Sequence, residues 1–411
     1  MRKLFRAGVV LSLTGLILWA EAPQSPFAAI DSSLVDLERI TGLKPVHKVR
    51  FDTIDKPRLK TFLESQIKEE VKPSEIHVEE LSLKKLGLVP QEFDLAKATV
   101  DLMTEQAAAF YDYRKKKLFL LEASAGASDQ DTVLAHELAH ALADQHFNLN
   151  KYLHRGKTDD SSLARMAVME GQATWLMYEA QANKMGQSLV TSPAIVDMMA
   201  KASDGAGGQF PILESAPLYM RNSLLFPYLQ GLRFQQAVVV KLGKPGFSEV
   251  FKNPPANSHQ VLHPEDYFEH VVDALPPMPT VATPKSYRTL SGGTIGEFDH
   301  SVLLEQYCNK QEADELSPHW RSGAFELLEE KRRKNTVLLY ASEWDTASSA
   351  RRMFNDYHRV LKGKWKNFTP GKESANTLTG EGDDGFFRLE LHENRVTSIE
   401  GLKDVAAANL R

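Results

Sequence analysis

Apolar positions recur at helical spacing through most of the first two-thirds of the chain, and short β-like runs appear near its end. The spacing predicts a short helix over 32–41, then a helix over 57–69 with Leu59, Phe62, Leu63 and Ile67 on one face. Further helices are expected over 76–86 and 93–109. Residues 110–121 place a polar turn between two apolar runs, which predicts a hairpin; its second strand, over 117–121, is either a sheet edge able to hold an extended peptide or part of a plain structural hairpin. From 131 to 147 the chain reads as a core helix: between Val133 and Ala143 every residue outside the sequence His136-Glu137-Leu-Ala-His140 is apolar. Asp129 or Asp131 is placed to cap it. A second long helix is expected over 161–183 and an apolar helix over 226–242, closed by Gly243 and Pro245.

Pro and Gly punctuate the remainder. Residues 202–209 read as a flexible loop, and Pro254, Pro255 and Pro264 mark an irregular segment. The Pro-rich stretch within 276–289 reads as a linker. Beyond it a helix is expected over 296–307, strands over 324–329, 336–342, 386–391 and 395–399, and an amphipathic helix over 346–361. In that helix Ala350, Met353, Phe354, Tyr357 and Val360 face inward. The expected organisation is a helical domain over 23–275, the linker, and an α+β domain with an antiparallel sheet over 290–411.

Composition narrows this picture only slightly. With 411 residues, 42% of them hydrophobic and 25% charged, the chain has room for two ordinary globular domains. A net charge of −5 carries no footprint for nucleic acid or for anionic membranes. The first six residues hold three basic side chains, residues 7–20 are almost wholly apolar, and Ala20-Glu-Ala22 suits signal peptidase. As a helix that apolar run would span about 21 Å, too short for a bilayer core of about 30 Å. A signal peptide over 1–22, cleaved after Ala22, is therefore expected, with a secreted or periplasmic product; an uncleaved anchor is the alternative. The single cysteine, Cys308, excludes both an intrachain disulfide and a lipid attachment near the leader.

The chemistry centres on His136-Glu137-x-x-His140. One helical turn separates the histidines, so both imidazoles can reach one metal ion, and Glu137 lies about 100° round the helix, beside that ion. A buried pair of imidazoles with a carboxylate is unfavourable without a partner, and a metal satisfies all three. The competing reading is a helix whose histidines are merely hydrogen-bonded. A catalytic zinc usually takes three protein ligands and leaves a fourth position open. Glu170 is the candidate for the third, because it lies on the apolar stripe of Met166, Met169, Ala173, Leu176 and Met177. A pairing of Glu170 with Arg165 or Arg221 is the alternative. Gly171 weakens its helix by about 1 kcal/mol relative to Ala, which suggests close approach of another helix. Asp144 is either an acceptor orienting a ligand imidazole or a surface carboxylate. His263, Tyr267 and Tyr228 are candidate donors to an oxyanion, each with a structural role as the alternative. His146 falls off the ligand face.

The sequence His136-Glu-Leu-Ala-His140 followed by Glu170-Gly-x-Ala resembles the gluzincin branch of zinc metallopeptidases. More closely, the chain is similar to a set of exported bacterial proteins classed with metallopeptidases and lacking a characterised reaction. The likeness is carried by residues 104–112, 135–147, 169–173 and 260–264, with weaker features at Gly296-Glu-Phe and Glu343-Trp-Asp. It implies a zincin-like α+β fold, Zn2+ held by His136, His140 and Glu170, and Glu137 as general base. The 29 residues between His140 and Glu170 exceed the spacing in many gluzincins. The expected function is zinc-dependent hydrolysis of a peptide or protein substrate. Two alternatives stand beside it: a zinc-bearing envelope binding or assembly factor that does not cleave, and a metal amidase acting on cell-wall crosslinks.

Overall fold

A computed structural model describes residues 9–13, 26–122, 130–204 and 210–403. The order opens with β1 (Val9–Leu13), α1 (Pro26–Thr41), β2 (Arg50–Ile54), α2 (Lys56–Glu70), α3 (Pro73–Leu86), α4 (Leu95–Gln106), β3 (Ala107–Asp112) and β4 (Lys117–Leu121). Helices α5 (Gln130–Phe147), α6 (Leu149–His154), α7 (Asp159–Lys184), α8 (Pro193–Asp204), α9 (Pro211–Ser215), α10 (Leu218–Leu242), α11 (Gly246–Lys252), α12 (Ser258–Leu262) and α13 (Pro264–Phe268) follow. The last third comprises β5 (Tyr287–Thr294), α14 (Glu297–Tyr307), α15 (Lys310–Leu316), β6 (Trp320–Glu330), β7 (Thr336–Trp344), α16 (Ala347–Lys364), β8 (Phe368–Glu373), β9 (Thr377–Gly382), β10 (Gly385–His392) and β11 (Arg395–Leu402).

The fold is α+β, with the smaller sheet in the helical region. Its order is β1-β3-β4-β2, β3 and β4 forming the expected hairpin and β2 running parallel to β4 from Arg50↔Lys117 to Ile54↔Leu121. Strand β4 is therefore internal, which overturns the edge reading of 117–121 and leaves the plain structural hairpin. The polar residues of β2 hid this pairing: Arg50, Asp52 and Thr53 remain partly or fully exposed. Strand β1 lies inside the apolar run over 7–20 and pairs antiparallel with β3, from Val9↔Asp112 to Leu13↔Ala107. The rest of that run and the expected cleavage point after Ala22 lie outside the described residues, as do Asp129 and most of the loop over 202–209.

Two helix boundaries differ from expectation for physical reasons. Ala107 to Ala109 leave α4 and join β3, all six residues of which are buried, so sheet pairing overrides the helix preference of alanine. Helix α10 begins at Leu218 and carries Pro227 in its interior. A proline read from sequence marks a helix start, and here the helix continues through it at the loss of one backbone hydrogen bond.

The second sheet is antiparallel throughout, in the order β5-β6-β7-β11-β10-β9-β8. Helix α16 covers one face, burying Ala350, Met353, Phe354, Tyr357 and Val360. On the sheet's other side Val281 and Met278, from the Pro-rich stretch, pack with Leu328, Val337, Leu339 and Ile399. The stretch over 276–289 is thus docked and ends in the start of β5. One hydrophobic core runs without a break from Ile30 on α1 through α5, α7 and α10 to Trp320, Tyr340 and Val396 of the sheet. At the seam Gly87, the left-handed cap of α3, offers its carbonyl to Tyr307 Oη at 2.7 Å and Gln306 Nε2 at 2.9 Å. No helix among the described residues is long and apolar enough to cross a membrane.

Candidate metal centre

Helix α5 packs on α1, on β3 and on α7, and α7 packs along α10. His136, Glu137 and His140 face that junction and are at most 2% exposed. Glu170 comes from the middle of α7 and is equally buried. At the next position the α7 and α10 backbones meet glycine to glycine. A Cβ placed on Gly171 would lie 2.1 Å from the carbonyl carbon of Gly231, and one on Gly231 would lie 2.2 Å from the Ala167 carbonyl oxygen. Only paired glycines permit this approach, which sets Tyr228 of α10 beside Glu170.

Three ligand atoms converge. His136 Nε2 is 3.0 Å from His140 Nε2, and each is 3.3 Å from Glu170 Oε2. Donors bound at about 2.0–2.1 Å around one tetrahedral zinc lie about 3.3 Å apart, so the triangle has the size that such an ion requires. Two neutral imidazoles could share at most one N–H between them, and a direct hydrogen-bonded trio leaves the site short of positive charge. The donor set therefore fits a divalent ion of the zinc class.

Electrostatics agree. Burial lowers the pKa of His136 against an opposing hydrogen bond from Glu170, and burial lowers that of His140 to about 3. Both imidazoles are thus held neutral, the form that ligates a metal. Burial raises the pKa of Glu170, countered by its hydrogen bonds with His136 and Tyr228. A divalent cation would relieve that penalty on the carboxylate.

Of the three candidate oxyanion donors, the structure brings only Tyr228 to this centre. Its ring stacks on His136 with centroids 6.1 Å apart, and its hydroxyl donates to Glu170. Burial, then the charges of Glu170 and Glu137, hold that hydroxyl firmly protonated. Tyr267 Oη instead donates to the Asn253 carbonyl at 2.8 Å, and His263 turns to Glu297. Asp144 is neither a surface group nor a partner of a ligand histidine. It is buried and accepts from Tyr111 Oη at 2.9 Å, Lys116 Nζ at 2.5 Å and the Leu149 amide at 2.9 Å, pinning the end of α5 to the β3–β4 turn. Arg165 sits over the Tyr152 ring, so its guanidinium is engaged there. His146 is exposed and contacts the Lys44 carbonyl, consistent with its place off the ligand face.

Sequence reasoning singled out neither Glu297 nor its neighbours as a second histidine–carboxylate cluster. The one available signal was His259 and His263 at a one-turn spacing.

Residues 286–410 match a family model described as a domain of unknown function (DUF8575), a span that begins at β5 and covers the seven-stranded sheet with its helices. No curated protein and no solved structure matches the chain.

Proposed function

We propose that the chain is an exported zinc-dependent peptidase with His136, His140 and Glu170 as ligands and Glu137 as general base. The observation that carries this is the coincidence of a zinc-sized ligand triangle with a second, non-ligating carboxylate one residue from the first ligand. A structural zinc site has no use for that second carboxylate. An ion held there supplies Lewis-acid polarisation of the scissile carbonyl and a lowered pKa for water. Glu137 takes the proton of the attacking water and passes it to the leaving amine. Tyr228 fixes the orientation of Glu170 through the hydrogen bond its hydroxyl donates. In this reading the fold of the helical region is zincin-like.

Export by the N-terminal leader belongs to the same proposal. Removal of residues 1–22 would take β1 from the sheet and leave β3 as an edge open to an extended peptide.

The burial of the ligands supports a second reading, in which the ion staples α5 and α7 and nothing is cleaved. A peptide-library digest separates the two. The peptidase reading expects cleavage that a chelator abolishes, restored by zinc, and lost in Glu137→Gln with metal content unchanged. Full activity in Glu137→Gln, or no chelator-sensitive cleavage from a zinc-loaded protein, would sink it. Incubation with isolated peptidoglycan tests for an amidase acting on cell-wall crosslinks instead.

A further inference from the structure

We propose that His259, His263 and Glu297 form a second site for a divalent ion of the zinc class, joining the helical region to the seven-stranded sheet region. The inference uses none of the residues of the first centre and stands independently of the peptidase reading.

The local sequence builds the site. Asn257 caps α12 by accepting from the Gln260 amide at 3.0 Å, which starts the helix at Ser258. His259 and His263 then fall one turn apart on neighbouring faces, with ring centroids 4.3 Å apart. Pro264 begins α13 and prevents α12 from continuing, so His263 sits at the junction of the two helices. Glu297 is the first residue of α14, 2% exposed, and its helix is tied to α12 through the Phe298 amide donating to Ser258 Oγ at 3.2 Å.

Both imidazoles converge on one carboxylate. His259 Nδ1 lies 2.5 Å from Glu297 Oε2, and Nε2 of the same ring lies 2.8 Å from Asp266 Oδ2. His263 Nε2 faces the same carboxylate at 3.1 and 3.2 Å. One ligand atom from each residue lies within 4.8 Å of the others, which one ion can span.

Asp266 completes a carboxylate–histidine pair of the sort that orients metal-ligating imidazoles. Arg321 Nη1 lies 3.5 Å from the same Nε2. The His263 side chain is 25% exposed, which gives an ion a way in and leaves room for water as a further ligand. Two nitrogens and a carboxylate favour a first-row ion of the zinc class over magnesium or calcium, which take oxygen donors.

Zinc is the probe. The full chain is stripped with chelator, reloaded with zinc, passed through gel filtration and measured for metal by mass spectrometry. Two ions per wild-type chain are expected, one in His140→Ala, one in His263→Ala and none in the double variant. Because His263 is partly exposed, His263→Ala is expected to keep the fold, which a circular dichroism melt checks. In His140→Ala, zinc should raise the melting temperature, and that rise should vanish once His263→Ala is added. The proposal is overturned if His263→Ala binds as many ions as wild type, or if zinc stabilises the double variant as well as His140→Ala. In that case His259 is an imidazolium shared by Glu297 and Asp266. Loss of the first site alone appears differently, as His140→Ala equal to wild type while His263→Ala still drops by one.

Discussion

Gly171→Ala tests whether the glycine contact between α7 and α10 sets the metal centre. Two effects oppose one another. Alanine in a helix interior is worth about 1 kcal/mol over glycine, so propensity alone expects a more stable protein. Against that, the new Cβ would meet the carbonyl carbon and oxygen of Gly231 at 2.1 and 2.2 Å, and backbone atoms cannot rotate aside. The helices must part by roughly 1.4 Å to restore ordinary contact near 3.5 Å. Overpacking against backbone falls in the upper part of the usual range, about 2–3 kcal/mol, so clash outweighs propensity and net destabilisation of about 1–2 kcal/mol is expected. The shift falls next to Glu170 and opposite Tyr228. A metal site tolerates displacements of about 0.2 Å, so a movement of this size should weaken zinc binding by about 10- to 100-fold. Competition with a chromophoric chelator reads the affinity and calorimetry reads the stability. An unchanged zinc affinity together with a higher melting temperature would refute the argument that this crossing positions the ligands.

Three further outcomes follow from neighbouring contacts. Tyr228→Phe removes the hydroxyl that donates to Glu170 and should keep the fold while weakening zinc about 10-fold, with a comparable loss of turnover where hydrolysis is measurable. Asp144→Ala strands the Tyr111 hydroxyl and the Leu149 amide and should cost about 2–4 kcal/mol with no change in metal content of the folded protein; proportionate loss of zinc would restore a role in orienting the histidines. Asp299 has its pKa raised to about 8, by burial first and then by the charge of Asp160. Its unfolded form ionises near 4 while the folded form keeps its proton, so the group lowers stability as pH rises from about 4 to 8. Melting curves across that range should fall less steeply for Asp299→Asn than for wild type, and parallel curves would contradict the assignment.

What was legible in the sequence had a local physical signature. His136, Glu137 and His140 share one turn, and Glu170 stood out because a carboxylate on an apolar stripe demands a partner. Strands β6, β7, β10 and β11 announced themselves by their buried, β-branched and aromatic residues, whereas β5 and β8 escaped notice because most of their residues remain at least partly exposed. An exposed strand carries little hydrophobic pattern, so pairing is decided by its neighbours and not by its own composition. The same holds for β2, whose pairing converts β4 from an edge into an interior strand.

The two histidine–carboxylate clusters show where local reasoning stops. At the first, Glu170 lies 34 residues from His136, yet its own helix betrays it, since nothing on that apolar face could neutralise it. At the second, Glu297 also lies 34 residues from His263, but it opens α14, where an acidic residue in the first turn already suits the helix dipole. A carboxylate with a satisfactory local explanation gives no reason to look for a distant partner. Only the fold, by setting α12 against the start of α14, shows that Glu297 is buried between two imidazoles and that the local explanation is incomplete. Buried polar groups whose sequence context already accounts for them are therefore where a site is most easily missed, and the side chains that the fold gathers around them are what expose it.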